Sequence, residues 1–378
     1  MKVSSYPFPV RLLIFLLNML LLFTAIIVAR DYLYPIVLGM LFAYLLFPIA
    51  NWLEKNHFPR ILANLVSIIF GIIVIASALV FIYNQIEILL QDLPQIKKQA
   101  SQNIGGIVSS VNDYLGLDER EIRNLLSQRV NHLFDSSSDF INNVFSATTG
   151  TLVKAGLLPV YVFLFLYYRT KIAYFILKVV PEKDKKVTID ILREIADVTK
   201  KYMGGVFIVV LILCILNSTG LYIIGIKYAL ILGIISALFN FIPYFGTLLG
   251  GLVPLVFSFL VMPSPIYPLR VIFLFIIIQF LENNILTPNI TGGAVKINPM
   301  VTIFGVVAGA LVWGLPGMFA IIPILGMVKI ITSHLEDGKS YAFLLGTGGT
   351  SKHAINRKNL MSVFKSLGFK NDKKNENI

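Results

Sequence analysis

The chain has 378 residues, 56% of them hydrophobic and only 14% charged, with a formal net charge of +12. A soluble domain usually carries about a quarter charged residues; here the charges cluster, and 12–29, 32–53, 61–86, 202–226, 228–269 and 297–328 hold no Asp, Glu, Lys or Arg. Runs of that length match the roughly 20 apolar residues that cross a bilayer. They exclude an ordinary soluble fold and predict an all-α, polytopic helical membrane protein with about eight membrane segments.

In chain order, the first expected unit is 1–84, with three transmembrane helices at 11–29, 32–52 and 61–84. Lys2 and Arg11 give the first a basic flank, but its apolar core is longer than a signal peptide's, so a retained helix is expected. Residues 85–148 are polar and predict a helical extracytoplasmic insert. Within it Asp118 and Glu121 have capping-box spacing, and Ile122, Leu125, Leu126, Leu133 and Phe134 follow at helical spacing. Next comes 149–203, a fourth transmembrane helix at 149–168 followed by a cytoplasmic amphipathic segment around 187–202. Residues 204–333 form the expected transport core, and 334–378 a basic cytoplasmic tail. In that tail Leu360, Val363, Phe364 and Leu367 alternate with Lys358 and Lys365, as in a short helix lying on an anionic leaflet.

The core contains two charge-free regions too long for one crossing. The first, 228–269, is interrupted by Asn240-Phe241-Ile242-Pro243-Tyr244-Phe245-Gly246. Proline removes a donor and clashes with the preceding turn, so the helix must kink or break there. The last region, about 299–331, is broken at Gly314-Leu315-Pro316-Gly317. Each break fits either a single kinked span or a re-entrant hairpin. Most Lys and Arg lie in the N-terminus, 53–60, 169–203 and the tail, and the positive-inside rule then puts both termini in the cytoplasm. Both arrangements preserve that parity, so charge counting leaves them open.

Broken helices at membrane depth are tolerated where they are buried in protein or line a cavity, and paired Gly/Pro interruptions point to transport sites. Span 7, about 268–286, adds an acidic residue. Gln279, Glu282 and Asn283 fall at i, i+3 and i+4, a polar stripe on one helical face. A carboxylate in the membrane usually faces a cavity or a partner. Glu282 is therefore a candidate proton or cation site, with a structural pair to Arg270 or Lys296 as the alternative. Asn217, Ser218 and Thr219 read as interhelical hydrogen-bonding glue.

The residue inventory narrows the chemistry further. A lone Cys214 makes neither an intrachain disulfide nor a metal cluster, and His57, His132, His334 and His353 show no paired spacing. The stretch from Gly346 to Lys352 lacks the phosphate-loop spacing. No catalytic residues, metal or cofactor are expected, and the chain reads as no enzyme. Its basic charge reads as membrane orientation rather than nucleic-acid binding.

Residues from about 200 to 331 resemble the autoinducer-2 exporter family of bacterial membrane proteins. The likeness rests on Asn240, Ile242, Pro243, Tyr244 and Gly246, then Glu282 and Asn283 with Pro288, then Gly292, Pro299, Gly309, Gly314, Gly317 and Pro323. It implies a multi-pass inner-membrane protein that exports a small polar solute without ATPase activity. Other members imply sodium/proton antiport. The candidate transport pathway is then Asn240, Pro243, Tyr244, Gly246, Gln279, Glu282, Asn283, Pro288, Pro299, Gly309, Gly314, Pro316, Gly317 and Pro323. Expected partners are the solute, protons or Na+, the lipid bilayer and, as one option, a homo-oligomer. A membrane scaffold that docks through 85–148 is the contrasting expectation.

Overall fold

A computed structural model describes residues 7–115, 128–129, 156–243, 245–293 and 295–348. The described residues are helices and connecting turns, with one isolated β-bridge between Ile297 and Gly346. The capping box at Asp118 and Glu121, the apolar spacing after it and the tail helix at 360–367 lie outside the described residues. The architecture is that of a polytopic helical membrane protein.

Helix α1 (Phe8–Val28) turns at Ala29 directly into α2 (Arg30–Lys55). A tight turn then starts α3 (Arg60–Gln91), which runs past the expected end of its span. Asp92 separates it from α4 (Leu93–Leu115), the polar helix expected in the insert. Next come α5 (Gly156–Val179) and α6 (Lys185–Ile224). The expected amphipathic segment and fifth span are one 40-residue helix. Gly204 and Gly205 weaken a helix only modestly, and Gly205 earns its place by packing: a Cβ there would meet Thr291 Cγ2 at 2.9 Å.

The remaining helices are α7 (Ala229–Phe239), α8 (Phe245–Val261), α9 (Ile266–Leu281), α10 (Thr287–Thr291), α11 (Pro299–Trp313), α12 (Leu315–His334) and α13 (Lys339–Leu345). A π-helical turn, Glu282–Leu286, joins α9 to α10, so Ile266–Thr291 is one continuous rod. Among the described residues six stretches are long and apolar enough to cross a membrane: α2, α3, α5, Glu182–Ile224, Ile266–Thr291 and α12.

Both overlong regions are helical hairpins rather than kinked spans. Helix α7 has 11 residues, about 16 Å at 1.5 Å per residue, half the hydrocarbon thickness. Helix α8 folds straight back along it. A Cβ on Gly250 would lie 2.5 Å from the Ser236 carbonyl, and one on Gly246 would overlap the Phe239 carbonyl. Likewise α11 and α12 run antiparallel: a Cβ on Gly309 would stand 2.6 Å from the Gly317 carbonyl, while Gly305 faces Ile321 and Leu325. Small residues let backbones approach this closely, and in lipid such packing replaces the hydrophobic drive.

Contacts at the two ends of the bundle show that the hairpins enter from opposite faces. On one face Arg169 donates to Glu54 Oε2 at 2.5 Å, and Arg60 Nε lies 3.8 Å from Glu54 Oε1. There too His334 Nε2 is 3.6 Å from Glu194. We call this the basic face; the α11–α12 hairpin begins and ends on it. On the opposite face Lys227 pairs with Asp92 at 3.1 Å, and Asn103 Nδ2 donates to the carbonyls of Leu260 and Met262 at 2.9 and 3.0 Å. These bonds clamp both ends of the α7–α8 hairpin beneath the α3–α4 junction. In the middle Leu41, Tyr202, Met203, Val306, Ala320 and Ile322 form a buried core, against which Ile242 of the first hairpin packs.

Candidate functional site: the hairpin tips and Glu282

The tip of the first hairpin is the turn after α7. Its N–H groups are served locally: Asn240 to Ala237 (3.0 Å), Phe241 to Leu238 (3.2 Å), Ile242 to Phe239 (2.9 Å) and Gly246 to Ile242 (2.8 Å). The second tip is similar in kind. Gly314 N–H donates to Ala310 at 2.9 Å, and Gly314, at φ 65° and ψ −141°, reverses the chain in a region closed to side chains. Pro316 sits in the first turn of α12, where a missing N–H costs nothing. The breaks are therefore cheaper than a severed helix would be, because each ends in paired turns.

The chemistry at the first tip comes from α9. Glu282 opens the π turn, and its carboxylate accepts from Asn240 Nδ2 at 2.8 Å and from Gln279 Nε2 at 3.0 Å. Two amides from two elements thus hold one half-buried carboxylate. Neither Arg270 nor Lys296 pairs with it: Arg270 lies over the Tyr267 ring, 5.8 Å from its centroid, and Lys296 lines a separate cavity on the basic face. A carboxylate hydrogen-bonded by two uncharged amides keeps its charge and further lone pairs for a cation or a proton.

The tips meet across the bundle. Phe241 packs edge-on against Phe319 of α12, with ring centroids 5.8 Å apart. At the second tip Trp313 Nε1 is buried without an acceptor among the described residues.

The family model of the AI-2E family transporter matches residues 13–337. The chain belongs to the AI-2E transporter family. It is 27% identical to "Putative transport protein YrrI" of Bacillus subtilis (strain 168), over 79% of this chain and 85% of that one. YueF of the same bacterium is 26% identical, covering 78% of this chain and 82% of its own. YhhT of Escherichia coli (strain K12) is 20% identical, over 89% and 95% respectively; both bear the same style of name. At this level the chain is a multi-pass membrane transport protein, of a family named for transport and not for catalysis.

Within this AI-2E family chain, the expected pathway residues separate into groups. Asn240, Gln279 and Glu282 converge. Pro243 and Gly246 shape the first tip, while Tyr244 lies outside the described residues. Gly309, Gly314, Pro316 and Gly317 build the second tip. Asn283 does not join the cluster: it is exposed beside Glu282.

Three prolines sit away from the tips. Pro299 is the first residue of α11, at the base of its hairpin, capped by Asn298 Oδ1 accepting from Met300 N–H at 3.0 Å. Pro288 is the second residue of α10 and is exposed, and Pro323 is fully buried within α12. Of the polar residues in span 5, Ser218 donates to the Leu230 carbonyl at 3.1 Å, interhelical glue as expected; Asn217 Oδ1 is buried without a donor among the described residues.

Two features carried no sequence signal. One is the Glu54–Arg60–Arg169 network, in which Arg60 also donates to Thr170 Oγ1 at 2.9 Å; Arg169 is 115 positions from Glu54, and Thr170 is 110 from Arg60. The other is a cavity of about 250 Å³ on the basic face, lined by Lys296 and Lys329. A periodicity search sees neither, because both arise from tertiary packing alone.

Proposed function

We propose that this protein is a secondary transporter or facilitator that exports a small hydrophilic solute, an autoinducer-2-like signal or metabolite, across the bacterial inner membrane. In this reading the basic face is cytoplasmic and carries both termini. The solute passes between the two hairpin tips, and Glu282 couples its movement to a proton or Na+. The observation that carries the reading is the Glu282 carboxylate, held at a hairpin tip by Asn240 and Gln279 with no basic partner among the described residues. An ionised group in that position is costly unless it serves a pathway. Protonation would weaken its hold on the two amide donors and free the tip to shift.

Proteoliposomes enclosing a pH-sensitive dye test the proposal. Adding a small polyhydroxylated solute should drive a pH change with wild-type protein and none with Glu282→Gln, although both insert equally. Equal flux from the two proteins at every pH removes Glu282 from the mechanism. A second reading draws on the same bare carboxylate: sodium/proton antiport, in which Na+ displaces the proton on Glu282. A dye response to Na+ without any organic solute selects it.

The route itself is tested by accessibility. With Cys214 replaced by serine, single cysteines across 236–250 and 310–322 should react with a water-soluble thiol reagent at both tips. Protection of every tip position leaves a purely architectural role for the hairpins.

A further inference from the structure

The cavity of about 250 Å³ on the basic face is bounded by α6, the α10–α11 connection and α12. Its polar lining is cationic on balance. Lys296 and Lys329 both face it, against the single carboxylate of Glu194, which is already drawn toward His334 at 3.6 Å. Lys329 uses one of its three donors on the Lys296 carbonyl, at 2.5 Å. The Lys296 ammonium has no hydrogen-bond acceptor or ion-pair partner among the described residues. Its stem runs beneath Gly293, where a Cβ would sit 3.8 Å from Cε. Gly326 keeps the floor open: a Cβ there would press on Val295 Cγ1 at 3.0 Å. Val198, Val295 and Ile330 supply apolar walls, which strengthen a charged contact by lowering the local dielectric.

We propose that this cavity is an oxyanion site, in which Lys296 and Lys329 together hold a carboxylate or phosphate group. Two ammoniums converging on one partly walled space bind an oxyanion by charge-assisted hydrogen bonds. The two backbone reversals at Gly292 and Gly293, with φ of 60° and 59°, bring Lys296 back toward α12 and so create the pair. The group comes either from a free solute at the mouth of the α11–α12 hairpin or from the headgroup of an anionic lipid in the adjoining leaflet. The site stands apart from the route at Glu282, since binding is measured without flux and can fail with transport intact.

The test uses the full-length protein in nanodiscs of phosphatidylcholine. Inorganic phosphate is titrated against chloride at equal ionic strength, and the melting temperature is read. Wild-type protein should show a saturable rise, and its midpoint should move up roughly tenfold or more in Lys296→Gln and in Lys329→Gln, as for loss of one charged hydrogen bond. Nanodiscs that also contain phosphatidylglycerol separate the two sources. Loss of the phosphate response there, with lipid retained by wild type and shed by both variants in native mass spectrometry, assigns the site to a headgroup. An unchanged phosphate response assigns it to a solute. The proposal is overturned by a wild-type protein with neither a saturable response nor variant-sensitive lipid retention. It is equally overturned by a doubly substituted protein that responds like wild type. Lys296 is exposed, so Lys296→Gln carries the test if Lys329→Gln does not fold.

Discussion

The two hairpins solve one geometrical problem with different chemistry. In α11–α12 the two helices are locked by backbone: a Cβ on Gly309 or on Gly317 would strike the other's carbonyl, and the segment 297–328 itself carries no Asp, Glu, Lys or Arg. In α7–α8 the glycines at 246 and 250 perform the same closure, but the tip is also tied by a hydrogen bond from Asn240 to Glu282 on a different helix. One turn is held by shape, which is indifferent to protons. The other is held partly by charge, which is not. The contrast marks the first hairpin as the responsive element and the second as its fixed counterpart.

The largest expected effect falls on the shape-locked hairpin. Gly309→Val or Gly317→Val must drive the helices apart, at a cost upward of about 3 kcal/mol. The monodisperse peak in fluorescence-detected size-exclusion chromatography should disappear. A folded Gly317→Val protein with wild-type melting temperature would erase the distinction between the hairpins. Next comes Asn240→Leu, which deletes one charge-assisted bond worth about 1.5–3 kcal/mol in such settings. Transport should fall with little change in expression, since Gln279 still holds the carboxylate. If stability collapses and flux per folded molecule is unchanged, the Asn240 contact is architectural.

Gly225→Ala sharpens the comparison at the entry of the first hairpin. Gly225 sits at φ 88° with room for a methyl group, its nearest neighbour being Tyr267 at 3.9 Å. The cost is therefore conformational alone, about 1–2 kcal/mol, read as a modest drop in melting temperature. The smallest effect belongs to Asp92→Asn. The Tyr228 hydroxyl, then the Lys227 ammonium, hold the Asp92 carboxyl below its ordinary range. A depressed carboxyl stabilises the fold above its unfolded value, about 3.9, and loses that contribution as pH falls through the folded one. The melting-temperature gap between wild type and Asp92→Asn should be present at pH 7 and close on acidification below that range. A gap that widens in acid would reverse the assignment.

Much of this arrangement was legible in the residues. The charge-free runs located the spans, the segments at 240–246 and 314–317 located the breaks, and spacing put Gln279 and Glu282 on one helical face. Whether each break is a hairpin or a kink was not legible, because both return the tail to the same side and charge counting registers only parity. Asn240 and Glu282 are 42 positions apart, and no periodicity connects them. The same spacing put Asn283 on the face of Glu282, yet its side chain is exposed and joins neither amide. The continuity of α6 was missed because polarity changes along it, and a helix may pass from water into lipid without breaking.

That unbroken α6 has a mechanical consequence. Over 40 residues it reaches about 60 Å. Near one end Ser218 is bonded to α7, and nearer the other Tyr202 and Met203 are wedged against Ala320 and Ile322 of α12. A stiff beam seated in both re-entrant elements cannot pivot at one seat while remaining still at the other. Strain introduced beside Glu194, near the start of α6, is thereby passed along one continuous helix toward its bond with α7.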